Sequence, residues 1–201
     1  MALVVGTLIG QLSAAFQSRD WTDCATQISN AIDTYIKSGA VNTTVTGVVT
    51  PPTGPPFTLV GSGAPAGASN IVTTGLGALQ SQLIAKFTNT ATLWADLGPV
   101  MASAISTDVA TGTVTTIVSG ALTGTGIGNP GCIVDAAGLG GLISGITAAF
   151  TTQAYNIDWN ACATQIANSI DTYLKAAIVT TIDNGNVPPV SWVGTGVGTI
   201  A

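Results

Sequence analysis

The stretch Asp20-Trp21-Thr22-Asp23-Cys24-Ala25-Thr26-Gln27-Ile28, running on through Ile32-Asp33-Thr34-Tyr35-Ile36-Lys37, returns almost unchanged later in the chain. The second copy is Asp158-Trp159, Cys162-Ala163-Thr164-Gln165-Ile166 and Ile170-Asp171-Thr172-Tyr173-Leu174-Lys175. A fainter copy passes from Trp94 through Leu97, Met101, Ala104 and Ile105 to Val109. Recurrence of this kind marks a chain assembled from one supersecondary unit. A unit of roughly sixty residues buries too little apolar surface to stand alone, so its copies are expected to pack on one another or on neighbouring chains.

Within the first unit, Leu3, Val4, Leu8, Ile9, Leu12 and Phe16 fall at helical spacing and predict a helix over 3–17. Asp20 then stands as N-cap of a second helix, with Asp23 favourably placed in its first turn. The apolar face of that helix is Trp21, Cys24/Ala25, Ile28, Ile32 and Tyr35/Ile36, and Lys37 and Gly39 signal its end. The period then switches to two. Val41, Thr43 and Val45 alternate with Asn42, Thr44 and Thr46, which predicts a strand. Pro51-Pro52-Thr53-Gly54-Pro55-Pro56 forms a rigid turn, and Phe57-Thr58-Leu59-Val60 returns as a second strand ending at Gly61-Ser62-Gly63.

The second unit carries Leu76, Leu79, Leu83 and Phe87 on one helix and Trp94, Leu97, Met101, Ile105 and Val109 on the next. Pro99 is tolerated best in a first turn, so that helix is expected to begin nearer Gly98. Thr113 to Val118 is a strand that passes into a glycine-rich end. The third unit repeats the order with Leu139, Leu142, Ile143, Ile146 and Phe150, then Trp159 to Lys175, and carries an extra Ala154-Tyr155-Asn156-Ile157 between its helices. Ile178 to Ile182 is a strand, Asn184-Gly185 a tight turn, and Val190 to Val193 the return. The expected fold class is α+β, with three tandem helix-helix-β-hairpin repeats in a pseudo-threefold or arrayed structure. The units are 1–63, 71–128 and 135–201, joined by linkers at 64–70 and 129–134.

Charged residues make up only 6% of the chain against 46% hydrophobic ones, whereas soluble domains usually carry about a quarter charged. The four cations are Arg19, Lys37, Lys86 and Lys175, and the nine acids are all Asp. So few charges leave Ser, Thr and Gly to cover what faces water, and imply a surface occupied by partners. A net charge of −5 offers no stripe to neutralise phosphates, so no nucleic acid is expected. The N-terminus lacks a basic region and the apolar runs are too short for a transmembrane helix, so neither a signal peptide nor membrane association is expected. Cys24 and Cys162 share a repeat position held by Leu97 in the middle copy. That makes them buried free thiols rather than a disulfide, consistent with synthesis in a reducing cytoplasm.

Histidine is absent, which removes Ser-His-Asp and Cys-His triads and the commonest metal ligand. Asp20/Asp158 and Asp33/Asp171 are the only carboxylates shared by two copies. The first pair reads as helix caps, and Asp33 as solvated or locally paired with Lys37 four residues on. The runs Gly61-Ser62-Gly63, Gly124-Thr125-Gly126 and Gly194-Thr195-Gly196 follow strands without a helix N-terminus after them, so they read as strand ends or linkers rather than phosphate loops. Trp21, Trp94, Trp159, Tyr35 and Tyr173 read as core anchors. No catalytic, cofactor-binding or metal-ligating residue is assigned, and no enzyme activity or cofactor is expected.

The tandem Trp…Ala-x-Gln-Ile-x-x-x-Ile-Asp-Thr-Tyr-Ile/Leu-Lys helix, followed by Val41-Asn42-Thr43-Thr44-Val45-Thr46-Gly47-Val48-Val49-Thr50-Pro51-Pro52 and a Gly-Thr-Gly end, resembles small tailed-bacteriophage virion structural proteins of the head/tail gene region. The resemblance covers the first and third units well and the second in outline. It implies a non-enzymatic component of a virus particle, made in the host cytoplasm and located in the virion. As capsid decoration or cement, or as a head-tail or tail accessory protein, it would bind major capsid or tail proteins and copies of itself. The Thr/Gly-rich strands would extend a neighbour's sheet. The alternative is a secreted or cell-surface filament subunit. No small-molecule substrate is expected.

Overall fold

The computed structural model describes residues 3–67, 70–134, 138–154, 158–187 and 190–201. Helices α1 (Val5–Phe16) and α2 (Trp21–Ser38) lead into strands β1 (Val41–Val49) and β2 (Phe57–Pro65). A short β3 (Ile71–Val72) precedes α3 (Leu76–Phe87) and α4 (Trp94–Ala110), then β4 (Thr113–Gly120) and β5 (Gly124–Gly128). A short β6 (Ile133–Val134) precedes α5 (Leu139–Ala148), a π-helical segment Ala149–Ala154, α6 (Trp159–Ala176), β7 (Ile178–Val187) and β8 (Val190–Ile200). The class is mixed α and β, as expected. Ala64 and Pro65 lie in β2, and Ile133 and Val134 form β6, so strand pairing reaches into both segments read as linkers.

Local chemistry sets the helix ends. The Asp20 carboxylate accepts the Thr22 N–H at 2.7 Å and the Asp23 N–H at 3.4 Å, and Asp158 accepts the Ala161 N–H at 2.9 Å. Such caps satisfy backbone donors that have no partner within the helix. The helix expected to start nearer Gly98 starts instead at Trp94, with Pro99 inside it. Asp96 accepts the Leu93 N–H at 3.3 Å and closes the first turn. Gly98 relieves the clash that usually drives the residue before proline out of helical space. Its missing Cβ also admits Thr147 of α5, so α4 and α5 pack closely here.

Each helix packs on two neighbours in the order α1–α2–α3–α4–α5–α6, and α6 returns to α1, so the helices close into a ring. Their inward faces merge into one core that includes Leu8, Leu12, Ile28, Ile32, Leu83, Met101, Ile105, Ile146, Ile166 and Ile170. Full burial of such side chains stabilises by about 1.5–3 kcal/mol each. Cys24, Leu97 and Cys162 all lie in this core. Burial pushes the thiols of Cys24 and Cys162 up to about 12.

Below the ring, β1 pairs with β2, β2 with β4, β4 with β5, β5 with β7, β7 with β8 and β8 with β1, all antiparallel. The six strands close a barrel. β3 adds to the end of β4 and β6 to the end of β7. The strands are therefore hydrogen-bonded on both sides over most of their length, with Phe57–Val60 of β2 pairing with β1 alone. Closure leaves few donors and acceptors for the expected extension of a neighbour's sheet. Asn184-Gly185 is not a turn either. Both residues continue β7, with Gly185 opposite Trp192, and the pairing runs on to Val187 opposite Val190. Gly185 is needed there because a Cβ would collide with the Thr123 carbonyl and meet Trp192 Nε1 at 2.7 Å.

Candidate functional site

The period-2 pattern of β1, β4 and β7 determines what fills the barrel. Val41, Val114 and Val179 face inward next to the helix-ring core. One step along each strand, Thr43, Thr116 and Thr181 face inward, exposed by 4%, 0% and 2%. The next inward positions are Val45, Val118 and Asp183, all buried. Two strands thus place valine where the third places a carboxylate.

The other three barrel strands supply glycine at this level. Thr43 pairs with Gly63, Thr116 with Gly126 and Thr181 with Gly196. With no side chains there, β1, β4 and β7 approach one another across the lumen to Cα separations within 8 Å. A Cβ on Gly63 would collide with Thr43 Oγ1, one on Gly126 with Asp183 Oδ1 and Thr116 Oγ1, and one on Gly196 with Thr181 Oγ1. The Gly-x-Gly runs are therefore not linkers: Gly61-Ser62-Gly63 and Gly194-Thr195-Gly196 lie inside β2 and β8, and Gly124-Thr125-Gly126 is the starting end of β5. They make the lumen narrow enough for a compact layer of oxygens.

Asp183 is fully buried. Its Oδ2 accepts the Thr181 hydroxyl at 2.9 Å. Its Oδ1 has no hydrogen-bond partner, and neither do Thr43 Oγ1 and Thr116 Oγ1. Burial raises the carboxyl above its ordinary value, and the Thr181 hydroxyl and Gly196 amide offset part of that rise. No other charged residue occurs in the barrel strands. On the far side a second apolar cluster of Val45, Val49, Val118, Leu122 and Trp192 plugs the barrel, and Trp192 Nε1–H donates to the Thr123 carbonyl at 3.1 Å. The oxygen layer is thus enclosed between two apolar clusters.

The repeated acids behave differently. Asp33 accepts Lys37 Nζ at 2.7 Å and the Thr73 hydroxyl at 2.7 Å. Asp171 accepts Lys175 Nζ at 2.9 Å and the Tyr35 hydroxyl at 2.6 Å. Of the two readings of Asp33, the local pairing is found, with a buried threonine added. Asp108 is buried near Asp33, and neither of its oxygens makes a well-aligned hydrogen bond. Burial and then the Asp33 charge raise its carboxyl, while the nearby Gly75 amide, Lys37 and Thr73 counter them.

At the far end of the helix ring, Trp21 stacks on Phe87, Trp94 on Phe150 and Trp159 on Phe16, each pair within about 6 Å. Trp21 and Trp94 remain 43% and 36% exposed, so they anchor by stacking on neighbours rather than by burial in the core. Tyr35 and Tyr173 are buried as expected. A cleft of about 580 Å³ between α5 and α6 is lined by Gln153, Gln165, Asn168, Ser169 and other uncharged residues.

Among the described residues no group of three or more His, Cys, Asp or Glu side chains comes together as a metal site. The chemistry these arrangements offer is an internal oxygen layer and two lysine–aspartate ion pairs. No helix among the described residues is long and apolar enough to cross a membrane. Comparison with protein-family models, curated proteins and solved structures gives no match. Asp183 is the residue that sequence reading missed. Its signal is the run Val179-x-Thr181-x-Asp183, parallel to Val41-x-Thr43-x-Val45 and Val114-x-Thr116-x-Val118.

Proposed function

We propose that this chain is a non-enzymatic structural component of a virus particle, either capsid decoration or cement or a head-tail or tail accessory protein. It binds neighbouring virion subunits, including major capsid or tail proteins and copies of itself. The observation that carries this reading is the outer wall of the barrel. That wall has no charged side chain and exposes Val48, Val60, Ile117, Ile127, Ile182, Val193 and Val197. Exposed aliphatic side chains interleaved with threonine and not with charge suit a face that a partner covers.

The same reading takes the chain as three helix-helix-hairpin repeats about a pseudo-threefold axis. The matched Thr–Gly pairs of the barrel and the matched Trp–Phe stacks of the ring support it. A chain of that symmetry suits a threefold position in a shell or a tail ring. The test is quantitative mass spectrometry of purified particles together with imaging, comparing the natural chain with Ile117→Lys/Val197→Lys. Stoichiometric incorporation that this variant loses, while its circular dichroism is retained, is the expected result. An inert monomer absent from purified particles would overturn the reading.

A further inference from the structure

We propose that the oxygen layer inside the barrel is a binding site for one monovalent alkali-metal cation, held by Asp183 with Thr43, Thr116 and Thr181. The argument starts from charge. A buried carboxylate is costly unless it is neutralised or paired, and the barrel strands supply no cationic side chain. One negative charge is balanced by one monovalent ion.

The ligand chemistry agrees. Hard cations take oxygen donors, and here a carboxylate and three hydroxyls, at most 4% exposed, face one narrow lumen. Asp183 Oδ1, Thr43 Oγ1 and Thr116 Oγ1 have no hydrogen-bond partner, so each has a lone pair to offer. The glycines point the same way. A Cβ at Gly196 would stand 2.8 Å from Asp183 Oδ2 and 3.1 Å from Thr43 Oγ1, and one at Gly63 3.2 Å from Thr116 Oγ1. The oxygens of three strands are thus brought within reach of a single ion. Closure by the Val45/Trp192 cluster on one side and the helix-ring core on the other keeps bulk water from competing. Because the site is complete only when all three hairpins are joined, ion binding stabilises the folded chain and not the unfolded one.

The experiment melts the full chain in sodium, potassium and choline chloride at equal ionic strength, for the natural sequence and for Asp183→Asn. The natural chain is expected to gain roughly 3–10 °C in Tm in sodium or potassium over choline, as the ion rises to ten- to a hundredfold above its Kd. Asp183→Asn should show no such difference. Thr116→Val gives a second readout that keeps the charge and removes one ligand, and it should shift the ion titration to higher concentration. Equal melting of the natural chain in all three salts overturns the proposal. So does a melting temperature that falls equally in all three salts as pH rises through the raised Asp183 carboxyl, since that would identify a protonated acid. An ion effect that survives unchanged in Asp183→Asn overturns it as well, by placing the ion elsewhere.

Discussion

The helix ring pairs two of its aspartates with lysine, whereas the barrel holds its one aspartate, like Asp108 of the ring, without a cationic side chain. In the ring, Asp33 and Asp171 each meet a lysine four residues on and a hydroxyl from another element. In the barrel, Asp183 meets one hydroxyl from its own strand, and Val45 and Val118 occupy the corresponding positions of the other two strands. The ring acids sit near the margin of the fold, where a lysine can lie along the helix and keep its ammonium in water. The lumen admits no such side chain. A charge there must be offset by something small.

The strongest way to break this contrast is to put a second charge in the lumen. Val118→Asp would place a carboxylate beside Asp183 with no donor to receive it. The expected loss is about 3–5 kcal/mol, the usual cost of a buried unpaired charge, read by urea denaturation. A cost below about 1 kcal/mol would mean that the lumen is wet enough to solvate acids, and the contrast would fail.

The converse change completes the valine layer. Asp183→Val removes the desolvation cost and should stabilise the chain by about 1–3 kcal/mol in choline chloride, with a smaller gain in sodium chloride. It should also change the pH profile. The folded-state carboxyls of Asp183 and Asp108 are raised by burial. In choline chloride, where no ion replaces the proton, each therefore contributes stability that is fully present below its unfolded-state pKa and lost as pH rises through the folded one. Asp183→Val removes its share of that decline, and Asp108→Asn the remainder. An unchanged profile in both variants would show that neither acid titrates above its ordinary range.

Much of the ring was legible in the sequence because its signals are local. The caps at Asp20 and Asp158, the i,i+4 pairs and the apolar stripes all lie within a few turns of one helix. The start of α4 was misplaced because the Asp96 contact and the close approach of Thr147 outweigh the preference of Pro99 for a first turn. The barrel was half legible. Alternation identified the strands and the buried face of Val41, Thr43 and Val45, but a strand pattern does not reveal which edges pair. Closure therefore went unread, and with it the role of the Gly-x-Gly runs. Asn184-Gly185 carries the strongest local turn signal in the chain. Reading it as a turn put Asp183 at a loop margin, when long-range packing of Gly185 against Trp192 and the Thr123 carbonyl keeps the strand going and turns Asp183 inward.

The smallest expected effects separate the two ring pairs. Lys37→Met leaves Asp33, 8% exposed at its side chain, beside the buried Asp108, with the Thr73 hydroxyl still donating to it. The half-exposure of Lys37 discounts the pair, so a loss of about 1–2 kcal/mol is expected. Lys175 is 50% exposed at its side chain, and Asp171 keeps the Tyr35 hydroxyl when it is removed. Lys175→Met should therefore cost only about 0.3–0.5 kcal/mol, the range of an exposed i,i+4 pair. Added salt should erase the Lys175 effect first, because screening acts on the more exposed pair. Equal losses in the two variants would show that a buried neighbouring acid adds nothing to the role of Lys37, and that the ring compensates its charges one helix at a time.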